Sequence, residues 1–529
     1  MKRLLACAVL ALTLAGGSAQ AKTLVFCSEG NPDGLNPQLM TTTTGMNAIR
    51  PIYNQLVEFV PGSTTIAPAL AESWTVSDDG RDYVFNLRRN VRFHSSEIFS
   101  PTRPMNADDV LFSLNRQWKA DHPFHGISGG KYDYFEDLGM PALLESIDKL
   151  DDYTVRVRLK QPDAVFLSNM AMPFNAVFSA EYADRLMGAG TPEKIDTNPI
   201  GTGPFVFDSF QRDVAIRYRA FPNFWGQRAA LDTLVFSITP NPAVRLTKLK
   251  SGECQVMAFP SPNDTARIAA DSSLRLYKQE SLNIGYLALN TSRKPFDDVR
   301  VRRAINMAID KQSLIDAVYQ SGGVVAKNPI PPTMWAYNPD VRDYSFDRAA
   351  AQRLLADAGY PDGFEVDLWY MPVSRPYNPN GKRVAEMIQA DLSRIGIRTR
   401  LVSDEWSQYR TRLQAGEASM ALYGWTGDNA DPDNFLDILL GCTSARPGGN
   451  NIARWCHPEY NRLVTTAKRT PNQQERAQLY RDAQVIFKSE APWVPIAHSV
   501  VFMATRKEVS GFVMDPLARQ IFERVDVNP

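Results

Sequence analysis

The sequence predicts an α/β protein of at least two domains, on three observations. Strand-like apolar segments alternate with helical periods through the second half of the chain, the pattern of crossover units and a largely parallel sheet. The chain has 529 residues, 44% hydrophobic and 10% aromatic, more than a single core can use before a chain splits into domains. A long stretch, about residues 54 to 200, carries strands whose alternation places one face on a core and the other in water, the mark of an inserted subdomain.

The elements follow in order. Met1 to Ala21 read as a secretory signal: Lys2 and Arg3 begin it, Leu4 to Ala15 form the apolar stretch, and Ala19-Gln20-Ala21 is the cleavage site. The apolar stretch is shorter than the roughly 20 residues that span a bilayer. Thr23 to Phe26 open the fold as a strand, and Glu29-Gly30-Asn31-Pro32-Asp33-Gly34 form a turn-rich segment after it. In the insert, Tyr83 to Leu87 and Tyr153 to Leu159 alternate as half-buried strands, and Ala107 to Arg116 is a helix capped by Asn106.

Strands Phe205 to Phe207 and Leu234 to Ile238 come next, then a helix over Ala243 to Lys250 and a strand over Ile284 to Asn290. Helices over Val299 to Ala308, Ser313 to Tyr319 and Ala350 to Ala358 follow, the last stopping at Gly359. Phe364 to Trp369 is strand, Val384 to Ile395 amphipathic helix and Ile397 to Val402 strand. The apolar run Pro495 to Phe502 is expected to return as a strand to the first domain.

Charge excludes one class of function. Lys+Arg and Asp+Glu both number 58, and without the leader the counts become 56 and 58. No long basic run exists, so nothing forms the electrostatic footprint of a nucleic-acid binder. Outside the leader, which holds Cys7, four cysteines remain: Cys27, Cys254, Cys442 and Cys456. An even count in an exported chain suggests disulfides, and counting alone leaves three pairings open. A local bridge between Cys442 and Cys456, around the glycine-rich Pro447 to Asn451, is the economical choice and would leave Cys27 for Cys254.

Candidate reactive groups are weak. Gly126-Ile127-Ser128-Gly129-Gly130 matches the nucleophile-elbow spacing but lacks the strand before it. His122 and His125 have no third metal ligand and read as surface histidines. Asp428, Asp431 and Asp433 lack the spacing of a calcium loop. No phosphate-cradling glycine loop and no His-Glu-x-x-His motif occur. No enzyme and no cofactor are expected. What stands out instead are loops after strands in the second half, Met371 to Asn380 and Gly424 to Asn434, where α/β proteins often carry ligands.

These loops carry a resemblance. Gly424-Trp425-Thr426-Gly427-Asp428-Asn429, Arg375-Pro376-Tyr377-Asn378-Pro379-Asn380, Asn198 to Pro204, Pro331-Pro332-Thr333-Met334-Trp335 and Ala107-Asp108-Asp109-Val110 resemble extracellular solute-binding family 5, the bacterial peptide and nickel binders, over essentially the whole mature chain. The Arg375 and Asp428 segments resemble its periplasmic dipeptide binders. The resemblance implies the two-lobed type II periplasmic-binding-protein fold, hinged by two crossing segments. It places the first lobe in residues 22–53, 203–284 and 499–529, the inserted subdomain in 54–202 and the second lobe in 285–498. It supports Cys27 with Cys254 and Cys442 with Cys456.

The resemblance also implies a site. Asp428 would accept from a dipeptide's ammonium and Arg375 would grip its carboxylate with a planar fork that lysine lacks. Main-chain groups near Thr41, Thr42 and Thr43 and around Gly424, Trp425 and Thr426 would pair with the peptide, with Trp425 and Tyr377 as walls. A monomer is expected, delivering its dipeptide to the permeases of an ABC transporter driven by an ATPase, with haem as a secondary ligand. Rival ligands are longer peptides, haem or a nickel complex; the rival class is a secreted peptidase.

Overall fold

The computed structural model describes residues 21–528. Of the expected leader, Met1 to Ala21, all but Ala21 lies outside them. The chain forms the two-lobed α/β fold expected, built on one sheet that runs through both lobes.

The first strand, Thr23–Ser28, is the centre of the first lobe. It pairs in parallel with Thr233–Ile238 on one side and Val256–Ala258 on the other. The helix Pro242–Ser251 crosses between those two partners, starting at the Asn241 cap and stopping at Gly252 in left-handed backbone. In the second lobe, Glu365–Trp369 pairs in parallel with Arg398–Val402 and Met420–Thr426. Helices Gly381–Ser393 and Trp406–Gln414 make those crossovers.

Elsewhere the sheet departs from the largely parallel one expected. The hairpin Phe205–Gln211 with Ala215–Ala220 closes one edge in antiparallel fashion. The 14-residue strand Trp493–Arg506 runs antiparallel to every partner. Its first half pairs with Asn283–Leu289 and Gly323–Val325, its second half with Val256–Ala258 and Leu274–Glu280. A strand that leaves one lobe and returns through the other has no crossover helix, so nothing forces it parallel. The apolar run near the carboxy terminus does return to the first lobe, and it does so as the seam of the molecule.

The second crossing is the short link between Leu274–Glu280 and Asn283–Leu289. Asn283 joins the two crossings: its Nδ2 donates to Ser499 O at 2.8 Å and its Oδ1 accepts from Ser499 N at 2.8 Å. Within the insert, a four-stranded antiparallel sheet includes Asp82–Leu87 and Thr154–Leu159. Its helix Ala107–Trp118 begins with a capping box from Asn106 and Asp109.

Strand alternation decides what faces the cleft. In Met420–Thr426, Met420 and Leu422 point into a core with the helices Val299–Ala308 and Gly381–Ser393, while Tyr423 and Trp425 point the other way, into the core shared with the first lobe. The disulfides are Cys27–Cys254 and Cys442–Cys456, with Cα atoms 5.8 and 4.6 Å apart.

Candidate functional site

The loops singled out by the sequence converge on one cleft between the lobes. Its walls include Thr41, Thr42 and Thr43 from the first lobe and Arg375, Tyr377, Gly424, Trp425, Thr426 and Asp428 from the second. The space between these walls opens to solvent, and about 40 Å³ of it is enclosed by the cleft.

Two facing glycines form the floor. Gly285 and Gly424 are cross-strand partners. A Cβ on Gly285 would fall 2.1 Å from the Tyr377 carbonyl oxygen, and one on Gly424 would fall 2.2 Å from the Tyr377 ring. No larger residue fits at either place. The Arg375 loop therefore lies flat on the sheet. It is closed by paired hydrogen bonds between the main chains of Arg375 and Asn378, both 3.0 Å, and the Tyr319 hydroxyl donates to Tyr377 O at 2.7 Å.

At this end the Arg375 guanidinium stacks over Trp406, 5.1 Å from the ring centroid. Its Nη1 is buried without a hydrogen-bond partner among the described residues, and stands 3.7 Å from the Glu29 carboxylate. Glu29 is the residue just past the first strand and is 6% exposed. It accepts a 2.6 Å hydrogen bond from Thr44 Oγ1.

At the other end Asp428 is half-buried. Its loop is locked by Asn434, whose Oδ1 accepts from Asp428 N at 2.9 Å and from Trp425 Nε1 at 3.0 Å. The Tyr134 hydroxyl, from the insert, donates to the Asp428 carboxylate. No cation lies within 4 Å of it among the described residues. Burial pushes Asp428 up to about 7, against the hydrogen bond from Tyr134, the neighbouring Asn434 amide and the charge of Arg50, which pull it down.

Main-chain groups also border the cleft. Along Met420–Thr426, the strand Glu365–Trp369 pairs only at Met420 and Ala421. Beyond them that edge has no strand partner among the described residues, and this free edge includes Gly424, Trp425 and Thr426. Thr42 caps the helix Thr43–Ile49, accepting from Gly45 N, and donates to Asp33 at 3.0 Å.

Across the cleft the lobes are tied by charge. Arg410 of the second lobe pairs with Asp33 at 2.8 Å and donates to Thr41. Arg446 pairs with Glu136 and Asp137 of the insert at 2.9 and 3.0 Å.

Sequence reasoning did not single out Glu29, Trp406, Tyr423, Arg410 or Tyr134. Glu29 carried a usable signal, a charged residue ending a buried strand, where α/β ligand loops begin. Tyr134 carried none, because its contact with Asp428 joins positions 294 residues apart.

The weak motifs resolve as structure. Ser128 donates to Asp196 at 2.7 Å, in a loop that follows no strand. His122 and His125, expected on the surface, are half-buried, and the Nδ1 of each bonds the main chain. Asp431 pairs with Arg476 at 2.7 Å and Asp433 faces Lys468 at 3.6 Å. No group of three or more metal-ligating acids, histidines or cysteines occurs among the described residues, and no helix there is long and apolar enough to cross a membrane.

Comparison with known proteins identifies the family. The chain is 50% identical over 520 residues to the dipeptide-binding protein of Escherichia coli, covering 98% of this chain and 97% of that one. It is 48% identical to Heme-binding protein A of Haemophilus influenzae, over 97% and 93% of the two chains. Its structure matches the dipeptide binding protein of Pseudoalteromonas sp. SM9913 in complex with Met-Leu, with TM-score 0.93, 37% identity and coverage of 96% and 100%. Residues 65–447 match the model of bacterial extracellular solute-binding proteins, family 5. By its fold, its interlobe cleft and these matches, the chain belongs to the bacterial extracellular solute-binding proteins of family 5.

Proposed function

We propose that this protein captures dipeptides in the periplasm and hands them to the permeases of an ABC importer, whose ATPase supplies the energy. The observation that carries this reading is the pairing of two incomplete charge sites in one cleft: a half-buried carboxylate without a cation, Asp428, and a guanidinium with an unpartnered nitrogen, Arg375. A zwitterion completes both.

Arg375 would take the peptide carboxylate in its fork and Asp428 the ammonium. Two residues in extended form span at most roughly 7 Å. A single amino acid would leave one charge unmatched, and a longer chain would push one terminus off its partner. Either error costs several kcal/mol. Thr41 to Thr43 and the free edge at Gly424 to Thr426 would hold the peptide main chain, leaving side chains to the cleft walls of Trp425 and Tyr377. Because the walls come from both lobes, bound peptide favours closure, which the Arg410 and Arg446 ties reinforce.

On this reading residues 22–53, 203–284 and 499–529 act as the first lobe, 54–202 as its insert and 285–498 as the second lobe. The protein acts as a monomer after export and cleavage following Ala21, and performs no covalent chemistry. The resemblance to Heme-binding protein A supports haem as a second ligand, and a spectral titration in the Soret region tests it.

Calorimetry tests the main reading. Dialanine should bind, while N-acetyl-dialanine and dialanine amide should each bind at least about 100-fold more weakly. Equal affinity for the blocked peptides would defeat it.

A further inference from the structure

We infer that Glu29 is a specificity-determining residue which restricts the Arg375 end of the cleft to ligands presenting a single carboxylate there. The inference rests on the proposed dipeptide reading and deepens it.

Three buried charges meet at that end. Arg375 comes from the second lobe, and Glu29 and Arg245 come from the first. Arg245 is fully buried and donates to the main-chain carbonyls of Thr239, Pro240, Ala258 and Phe259 at 2.7–3.1 Å. Among the described residues no carboxylate lies within salt-bridge distance of it; Phe259, whose carbonyl accepts from its Nη2, lines the cleft with Glu29 and Arg375, and those are the charges that act on it. Glu29 is fixed by Thr44 at 2.6 Å and stands 3.7 Å from Arg375 Nη1.

The cluster thus holds two positive charges and one negative. One ligand carboxylate neutralises the remainder. A carboxylate in hydrogen-bond contact with the Arg375 fork lies within roughly 6–7 Å of Glu29. A peptide ending in Asp brings a second carboxylate a few ångströms from the first, by covalent geometry alone. That charge meets Glu29 with no cation left to balance it, in surroundings where an unpaired charge is costly. Without Glu29 the cluster would carry two positive charges, matched to two carboxylates.

The test compares Ala-Asn with Ala-Asp, ligands of nearly equal size that differ by one charge, by calorimetry at low ionic strength. The wild type should bind Ala-Asn at least about tenfold more tightly, and E29Q should bring the ratio below about threefold. Gln retains the acceptor for Thr44; if E29Q does not fold, E29M removes the same charge at similar volume. A wild-type ratio near one, or an unchanged ratio in a folded variant, overturns the inference. These failures are distinct from failure of the dipeptide reading itself, in which wild type would not bind Ala-Asn or R375A would bind it as well as wild type.

Discussion

The two ends of the cleft handle their charges in opposite ways. At the Arg375 end, cations and a carboxylate from different lobes already balance one another in part, and the arginine lies on Trp406, in a loop whose Tyr377 rests on a glycine floor. At the Asp428 end, a lone carboxylate is held by the Tyr134 hydroxyl, and burial raises its proton affinity. On the proposed reading the first end would select by counting charges and by fork geometry. The second would select by demanding a counter-ion, and its demand would depend on pH. A cleft can therefore be strict about termini while its walls remain tolerant.

The largest expected effect separates the ends directly. R375A should weaken dialanine at least about 1,000-fold, because it removes the fork and leaves Glu29 facing the ligand carboxylate; D428N should cost about 100-fold, because the Tyr134 hydroxyl beside it stays in place and the amide oxygen still accepts. Calorimetry on both variants checks the order, and a larger loss in D428N would reverse the comparison.

Acidity should act at one end only. The ligand ammonium needs Asp428 ionised, and free Asp428 takes a proton below about 7. Affinity should hold between pH 7 and 8 and fall toward tenfold per unit below that range, with proton release on binding. D428N should abolish the slope, and titrations in buffers of differing ionisation enthalpy would reveal a slope that survives.

A smaller effect belongs to closure. R410A removes the tie to Asp33 and Thr41 without removing a proposed ligand contact. It should weaken dialanine about 3–30-fold, chiefly through faster dissociation in stopped-flow measurements. An unchanged dissociation rate would place closure elsewhere.

The smallest effect is on stability without ligand. A carboxyl whose folded pKa is raised contributes stability below the unfolded value near 4, and this is lost as pH rises through about 7. D428N should therefore melt about 1–3 °C above wild type at pH 8 and level with it near pH 4. Thermal scans at the two values, compared as a difference, isolate Asp428 from Asp137 and Glu58, which shift in the same direction.

Much of this molecule was determined locally. The apolar run that opens Thr23–Ser28, the alternation in Asp82–Leu87, the cap at Asn106 and the stop at Gly359 are written in neighbouring residues, so those elements could be read directly. The loops bearing Arg375 and Asp428 stood out because turn-forming and charged residues follow buried strands. Tertiary structure alone decided strand direction at the seam, since Trp493–Arg506 reads as the same apolar run whether its partners lie parallel or antiparallel. It also decided which charges meet. Glu29 and Arg375, like Tyr134 and Asp428, are hundreds of residues apart, and only closing one lobe on the other brings each pair within reach.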